Sequence, residues 1–281
     1  VAIPERHADM RTSAPAVPLE IAFEAPGHVH DALGALARTE DVRFSPSGTR
    51  LAIAGFAVGR IAILDVAITR NGSAPEVSVT GIEDVESPAF LDPHGLDFAD
   101  EQTLVVGNRG GGVATVKLTP GGGELLATTA SAPEDPSSLF DAPGSVVVRT
   151  GQSRREVLAC NNDGHTITRH RLDASGRLVA GEVVARKWLN IPDGLALSSD
   201  GRWLAVSNHH THSVLVYDYS TLGEEAEPVG VLLGVIYPHG VRFGVDDRVI
   251  AVADAGAPFV HFFSRPDADW EGVASPTTTL T

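Results

Sequence analysis

Apolar positions in this chain come in short runs closed by Gly, Asn and Asp, and no run keeps the 3.6-residue spacing over the length that a helix requires. The runs fall into register with one another. Arg50–Gly55, Thr103–Asn108, Glu156–Asn161, Trp203–Asn208 and Val249–Asp254 align without gaps, and a further run begins shortly after each, at Arg60, Val113, Thr166, Ser213 and Phe259. Upstream stands a third set, Thr39–Phe44, Pro93–Phe98, Pro143–Val148, Pro192–Leu197 and Pro238–Phe243. Polar turns such as Ser198-Ser199-Asp200-Gly201 separate the first run from the second, and Asp-Gly is a strong hairpin signal.

Three such strands and a less regular outer one, recurring at roughly 50 residues, predict the four-stranded blade of a propeller. Candidates for the outer strand are Glu76–Thr80, Glu124–Thr128, Leu178–Val184, Val229–Leu233 and Gly272–Leu280. The expected fold class is therefore all-β, a β-propeller of four-stranded antiparallel blades. Five complete units favour five blades. The run Leu19–Glu24 reads as the outer strand of a preceding blade and keeps six as the alternative, although the stretch after Ser264 is too short to supply three more strands. Residues 1–18, rich in Pro, Ala and charge, read as a flexible N-terminal arm, and 19–281 as a single propeller domain.

Charge narrows the partners. Lys and Arg total 21 against 36 Asp and Glu, a net charge of −15, which repels phosphate backbones and anionic membrane surfaces. A small-molecule substrate or ligand is expected, with no nucleic acid and no membrane; oligomeric state is left open. No apolar run reaches the ~18 residues of a membrane span. The single cysteine, Cys160, excludes an internal disulfide framework. The opening residues lack a basic segment followed by an apolar one, so a cytoplasmic location is favoured, with a secreted or periplasmic one as the alternative if a targeting peptide has been removed.

In an antiparallel meander, the start of the first strand and the hairpin joining the second to the third share one face. One slot at the first-strand entrance holds Glu40, His94, Gly144, Asp193 and His239 in turn. Around a common axis, Glu40, His94, Asp193 and His239 are expected to converge as ligands of a divalent metal ion. Mixed imidazole and carboxylate ligands suit a transition metal such as zinc or manganese better than calcium. The second-strand ends bring Asn108, Asn161, Asn208 and Asp254 to the same mouth, with Arg109 just beyond, as substrate-binding candidates. His209 and His210, from the histidine-dense loop that follows Asn208, are the catalytic candidates for moving a proton. The same residue types also serve turns: His or Asp between Pro and Gly can bond its own turn, and Asn or Asp at a hairpin can satisfy loop amides. Nucleophile signatures are missing. There is no G-x-S-x-G, and Cys160 sits among apolar neighbours, as an inert thiol does. Gly110-Gly111-Gly112 and Gly121-Gly122-Gly123 read as turns rather than phosphate loops.

The stretch from Ile191 to Asn208, with the two Pro-His-Gly entrances, resembles the SMP-30/gluconolactonase/LRE-like propellers, and related turns occur in YncE-like and NHL propellers. The resemblance runs from about Thr39 to Ser264. It implies a hydrolase superfamily that includes lactonases and organophosphate-cleaving enzymes, with a divalent metal held by Glu, Asn and Asp at first-strand entrances. Glu40 matches the family's Glu and Asp193 its Pro-Asp-Gly aspartate. The family's two asparagines are not reproduced, since Gly144 and His94 fill the other slots, and the calcium chemistry is not carried over. Pro-His-Gly entrances are also similar to those of streptogramin lyase-type propellers, where a channel histidine and a metal act in elimination. The functional expectation is a metal-dependent hydrolase, lactonase- or esterase-like, acting on a small polar substrate at the channel mouth. A metal-assisted lyase and a non-catalytic ligand- or protein-binding propeller are the alternatives.

Overall fold

Each of the aligned runs forms a strand, and the strands assemble into five sheets, the blades of an all-β, five-bladed β-propeller. The computed structural model describes residues 16–17, 23–70, 75–130, 138–151 and 154–281. Blade 1 consists of Val42–Phe44, Arg50–Gly55, Arg60–Arg70 and Pro75–Glu86; blade 2 of Pro93–Asp100, Thr103–Asn108, Val113–Thr119 and Gly122–Thr129. Blade 3 consists of Pro143–Thr150, Arg155–Asn161, Thr166–Leu172 and Leu178–Ala185. Blade 4 has Pro192–Leu197, Trp203–Asn208, Ser213–Asp218 and Gly230–Leu232, and blade 5 has Pro238–Phe243, Val249–Asp254, Phe259–Ser264 and Thr278–Leu280. Proline opens four of the five first strands, at the position where a missing N–H costs the ladder least.

Among the described residues, three blades carry a fifth strand whose place in the sheet the hydrophobic pattern does not predict. Phe23–Glu24, the described part of Leu19–Glu24, runs parallel to Val77 and Ser78 on the outer edge of blade 1, so it extends that blade instead of belonging to a preceding one. The stretch Gly272–Leu280 is two strands. Gly272–Ala274 runs parallel to Gly230–Leu232 in blade 4, whereas Thr278–Leu280 pairs antiparallel with blade 5. Pro276 lies between them and cannot donate to a ladder, which is the local reason for the break. Of the arm expected over 1–18, Ala16–Val17 is described, paired in parallel with Thr279 and Leu280; the rest lies outside the described residues. The helix Gly27–Gly34 buries Val29 beside Leu36, Ala62, Leu64 and Val66. No helix among the described residues is long and apolar enough to cross a membrane.

The chain divides into two compact units, and the division falls within the third sheet. One comprises Ala159–Arg169 and Glu182–Thr281, together with the Ala16–Val17 strand. Its core is built on Trp203, Val216, Val241, Ile250, Phe263 and Trp270. Both buried indoles are satisfied: Trp203 Nε1 donates to Ala268 O at 3.0 Å, and Trp270 Nε1 to Asp247 O at 2.8 Å.

The other unit comprises Glu20–Leu158 and His170–Gly181, with a core of Ile61, Leu96, Leu104, Val106 and Val116. Here His170 lies buried and stacked on Phe140, ring centroids 4.6 Å apart, and burial pushes its pKa from 6.5 down to about 4. A histidine whose folded value is depressed contributes its full stability above the unfolded value and loses it as the pH falls from 6.5 toward 4. At roughly 1.4 kcal/mol per unit, the loss amounts to about 3 kcal/mol. Urea unfolding at about pH 7.5 and about pH 4.5 is expected to show a smaller acid loss in His170→Phe than in the unaltered chain. Equal losses would contradict this assignment.

Candidate functional site

The Pro-x-Gly entrances are bulged. Pro192 pairs with Asn208, but the register shifts before Leu195, and Pro238 pairs with Asp254 before a shift ahead of Val241. Such bulges take side chains out of the regular alternation and re-aim them. The residues re-aimed are Asp193 and His239. Ser207 fastens the two entrances together: its Oγ accepts from Gly194 N at 2.7 Å and donates to His239 O at 2.6 Å. Cys160 Sγ donates to Asp193 O at 2.8 Å. Gly194 is required by proximity, because a Cβ there would stand 2.2 Å from His239 O.

Asp193 is buried and joins side chains from three other strand ends. Its Oδ2 lies 2.8 Å from His239 Nε2 and 3.2 Å from His209 Nε2, while Oδ1 accepts from Asn162 Nδ2 at 2.8 Å. These are not bonds to its own turn. The His209 ring packs against two others, with Tyr237 at 4.0 Å and His239 at 5.6 Å between centroids. Exposure separates the two histidines: the His209 side chain is 5% exposed and that of His239 is 25% exposed. Among the described residues, Nδ1 of His209 and Oδ1 of Asn162 have no hydrogen-bond partner, and buried atoms in that state cost about 1–3 kcal/mol each. One ligand atom from each of Asp193, His209 and His239 lies within 4.8 Å of the others, so the cluster could hold a metal ion. The donor set fits one: two imidazole nitrogens and one carboxylate oxygen, with neither ring nitrogen of the buried His209 engaged in a hydrogen bond.

In the other unit, Glu40 and His94 meet. Pro93 pairs with Asn108, the register shifts before Gly95, and His94 is 3% exposed. Its Nδ1 donates to Gly144 O at 2.5 Å, which leaves Nε2 as the acceptor for Arg109 Nη2 at 2.8 Å. Glu40 Oε2 is 3.5 Å from the same nitrogen, and Glu40 is also paired with Arg38. The Phe56 ring stands edge-on to His94 at 6.0 Å.

The second-strand ends hold loops. Asn108 Nδ2 reaches Val106 O at 3.3 Å and Gly112 O at 3.4 Å within its own hairpin. Asn161 Nδ2 donates to Thr166 Oγ1 at 3.1 Å. Asn208 Nδ2 donates to Trp188 O at 2.8 Å, and its Oδ1 accepts from Asn190 N at 2.7 Å. Asp254 accepts from the amides of Ile236 and Tyr237 at 2.7 and 2.8 Å. Burial would raise its pKa, but hydrogen bonds from His261 and from the Ile236, Tyr237 and Gly256 amides outweigh it and bring the value down to about 2. His210 is exposed, with its amide on Asn190 O at 3.3 Å, and its side chain is not part of the cluster.

Asn162 and Tyr237 do not stand out in the sequence, yet a signal for the first is present. The position after the second strand holds Phe56, Arg109, Asn162 and His209 in blades 1 to 4 and Ala255 in blade 5, and each of the first four touches a slot residue: Phe56 and Arg109 reach His94, Asn162 and His209 reach Asp193. The same alignment that exposes the slots therefore exposes their partners. Tyr237 has no such repeat.

A family model described as Gmad1, lipoprotein LpqB beta-propeller domain, matches residues 8–166. No curated protein matches the sequence. Among solved structures, a functionally unknown protein from Desulfotomaculum acetoxidans DSM 771 is similar at 12% identity and a TM-score of 0.59, over 86% of this chain and 69% of that one. A protein proposed as a 6-phosphogluconolactonase from Bacteroides fragilis NCTC 9343 is similar at 16% identity and a TM-score of 0.53, over 83% and 67%. A chain of a nidogen/laminin complex is similar at 14% identity and a TM-score of 0.57, over 86% and 79%. At such identities the likeness shows the fold alone.

Proposed function

Because the chain belongs to the Gmad1 family, the lipoprotein LpqB β-propeller domain, whose fold leaves the chemistry to its site residues, we propose from the site that it is a metal-dependent hydrolase of the lactonase or esterase class. The observation that carries the reading is one buried carboxylate oxygen, Asp193 Oδ2, at 2.8 Å from His239 and 3.2 Å from His209. Asp193, His209 and His239 would hold the ion. Two imidazoles and one carboxylate favour zinc or manganese over calcium, which prefers oxygen throughout. Bound there, such an ion supplies Lewis-acid polarisation of an ester or lactone carbonyl and acidifies water near neutral pH.

The chain's own side chains divide the remaining work. Asn162 occupies Asp193 Oδ1, so the carboxylate offers Oδ2 alone to the histidines. His239, the more exposed member, is the one a small polar substrate meets; His209 is held in place by Tyr237. The likeness of Ile191–Asn208 to SMP-30/gluconolactonase/LRE-like propellers and the distant likeness to a proposed 6-phosphogluconolactonase both support lactones as the first substrates to try. Mass spectrometry on protein prepared without added ions is expected to find about one zinc or manganese per chain. In His239→Ala, lactone or ester turnover should fall by more than the roughly 10–100-fold of an outer-shell change. A wild-type chain that neither carries metal nor binds it on titration, and turns over no lactone or ester, would leave a ligand- or protein-binding propeller in its place.

A further inference from the structure

Asp254 ends the second strand of blade 5, at the position where blades 2, 3 and 4 have Asn108, Asn161 and Asn208. The carboxylate does what an amide cannot. Oδ1 accepts from Tyr237 N at 2.8 Å and Gly256 N at 2.9 Å; Oδ2 accepts from Ile236 N at 2.7 Å and lies 3.4 Å from His261 Nε2. Four donors face two oxygens, and an Asn side chain would turn its NH2 toward some of them. Since the carboxylate only accepts, the proton of His261 is on Nε2. Its Nδ1 then accepts from the Thr279 hydroxyl, 3.0 Å away. All three side chains are buried.

This relay crosses every principal strand of the blade: Thr279 on the outer strand, His261 on the third, Asp254 at the end of the second, and the Ile236 and Tyr237 amides at the entry to the first. The first strand begins one residue later and carries His239, while the Tyr237 ring packs on His209. Two members of the Asp193 cluster are thus placed by the segment that Asp254 grips. The order Thr–His–Asp also resembles a nucleophile with its base, but Thr279 is 3% exposed and paired within the sheet, out of a substrate's reach.

We propose that Asp254, His261 and Thr279 are positioning residues for the Asp193–His209–His239 site, fixing His239 and Tyr237 through the Ile236–Tyr237 backbone. The role rests on the metal-site reading above, and the test separates the two. Cobalt(II) is titrated into the full, metal-stripped chain and followed by its visible absorption; the metal-free chain is examined by imidazole 15N NMR. Asp254→Asn is expected to weaken cobalt binding roughly 10–100-fold and to change the absorption bands. Thr279→Val should weaken it by a smaller factor, and Thr279→Ser should restore it. Unchanged affinity and spectrum in both Asp254→Asn and Thr279→Val would overturn the proposal. If Asp254→Asn does not fold, the Thr279→Val and Thr279→Ser pair decides. Should the wild type bind no cobalt, the metal reading falls and the NMR decides the positioning role: His209 and His239 shifts that move in Thr279→Val and return in Thr279→Ser support it, and unmoved shifts refute it.

Discussion

An Asp193→Asn chain is expected to lose at least about 100-fold in zinc affinity, or about 2.7 kcal/mol, while remaining folded. The direction follows from the hydrogen bonds around the side chain. Asn162 donates to Oδ1 at 2.8 Å, so the carbonyl oxygen of an asparagine at 193 stays on that side. Its NH2 then points at His239 and His209, where Oδ2 lies in the native chain. An amide nitrogen is not a ligand for the ion, and it cannot accept from the imidazoles. With Oδ2 gone, the two histidines lose the carboxylate oxygen that stands 2.8 and 3.2 Å from their Nε2 atoms, which should lower stability by about 1–3 kcal/mol. Calorimetric zinc titration alongside urea unfolding checks both numbers. Unaltered zinc affinity would remove Asp193 from the ligand set.

Gly194→Ala is expected to destabilise the chain by at least about 3 kcal/mol and to weaken metal binding without touching a ligand. The new Cβ would stand 2.2 Å from His239 O and 2.9 Å from Ser207 Oγ. The nearer atom is backbone, so no rotamer change relieves the overlap. The entrances must move apart, and the Ser207 bridge between Gly194 N and His239 O goes with them. The urea midpoint should fall together with zinc affinity. A midpoint equal to that of the unaltered chain would mean the two strand entrances are not in the contact described.

The blades are legible in the sequence because their signals are local. Short apolar runs, polar turns and opening prolines repeat in register, and they fix strands and hairpins without long-range information. The pairing of the fifth strands is not legible. Phe23–Glu24 and Gly272–Ala274 pair in parallel with strands far away in sequence, and a parallel partner leaves no turn residue to mark it. Pro276 is the local sign that Gly272–Leu280 breaks. At the site, alignment finds the slots, whereas the bulges after Pro93, Pro192 and Pro238 decide where each side chain points. Sequence alone marks His209 and His210 equally as proton carriers; the fold puts His209 within the Asp193 cluster and leaves His210 exposed. Asp254 reads from sequence as facing a substrate, and its four donors come from loops and a third strand whose register no local pattern reveals.

The central claim, that Asp193, His209 and His239 bind one ion, is tested most directly by X-ray absorption on the metal-stripped full chain reconstituted with zinc. The expected result is about one zinc per chain with two imidazole nitrogens and one carboxylate oxygen among its ligands, and one imidazole fewer in His239→Ala. A chain that takes up no zinc, or a zinc shell without imidazole, would contradict it.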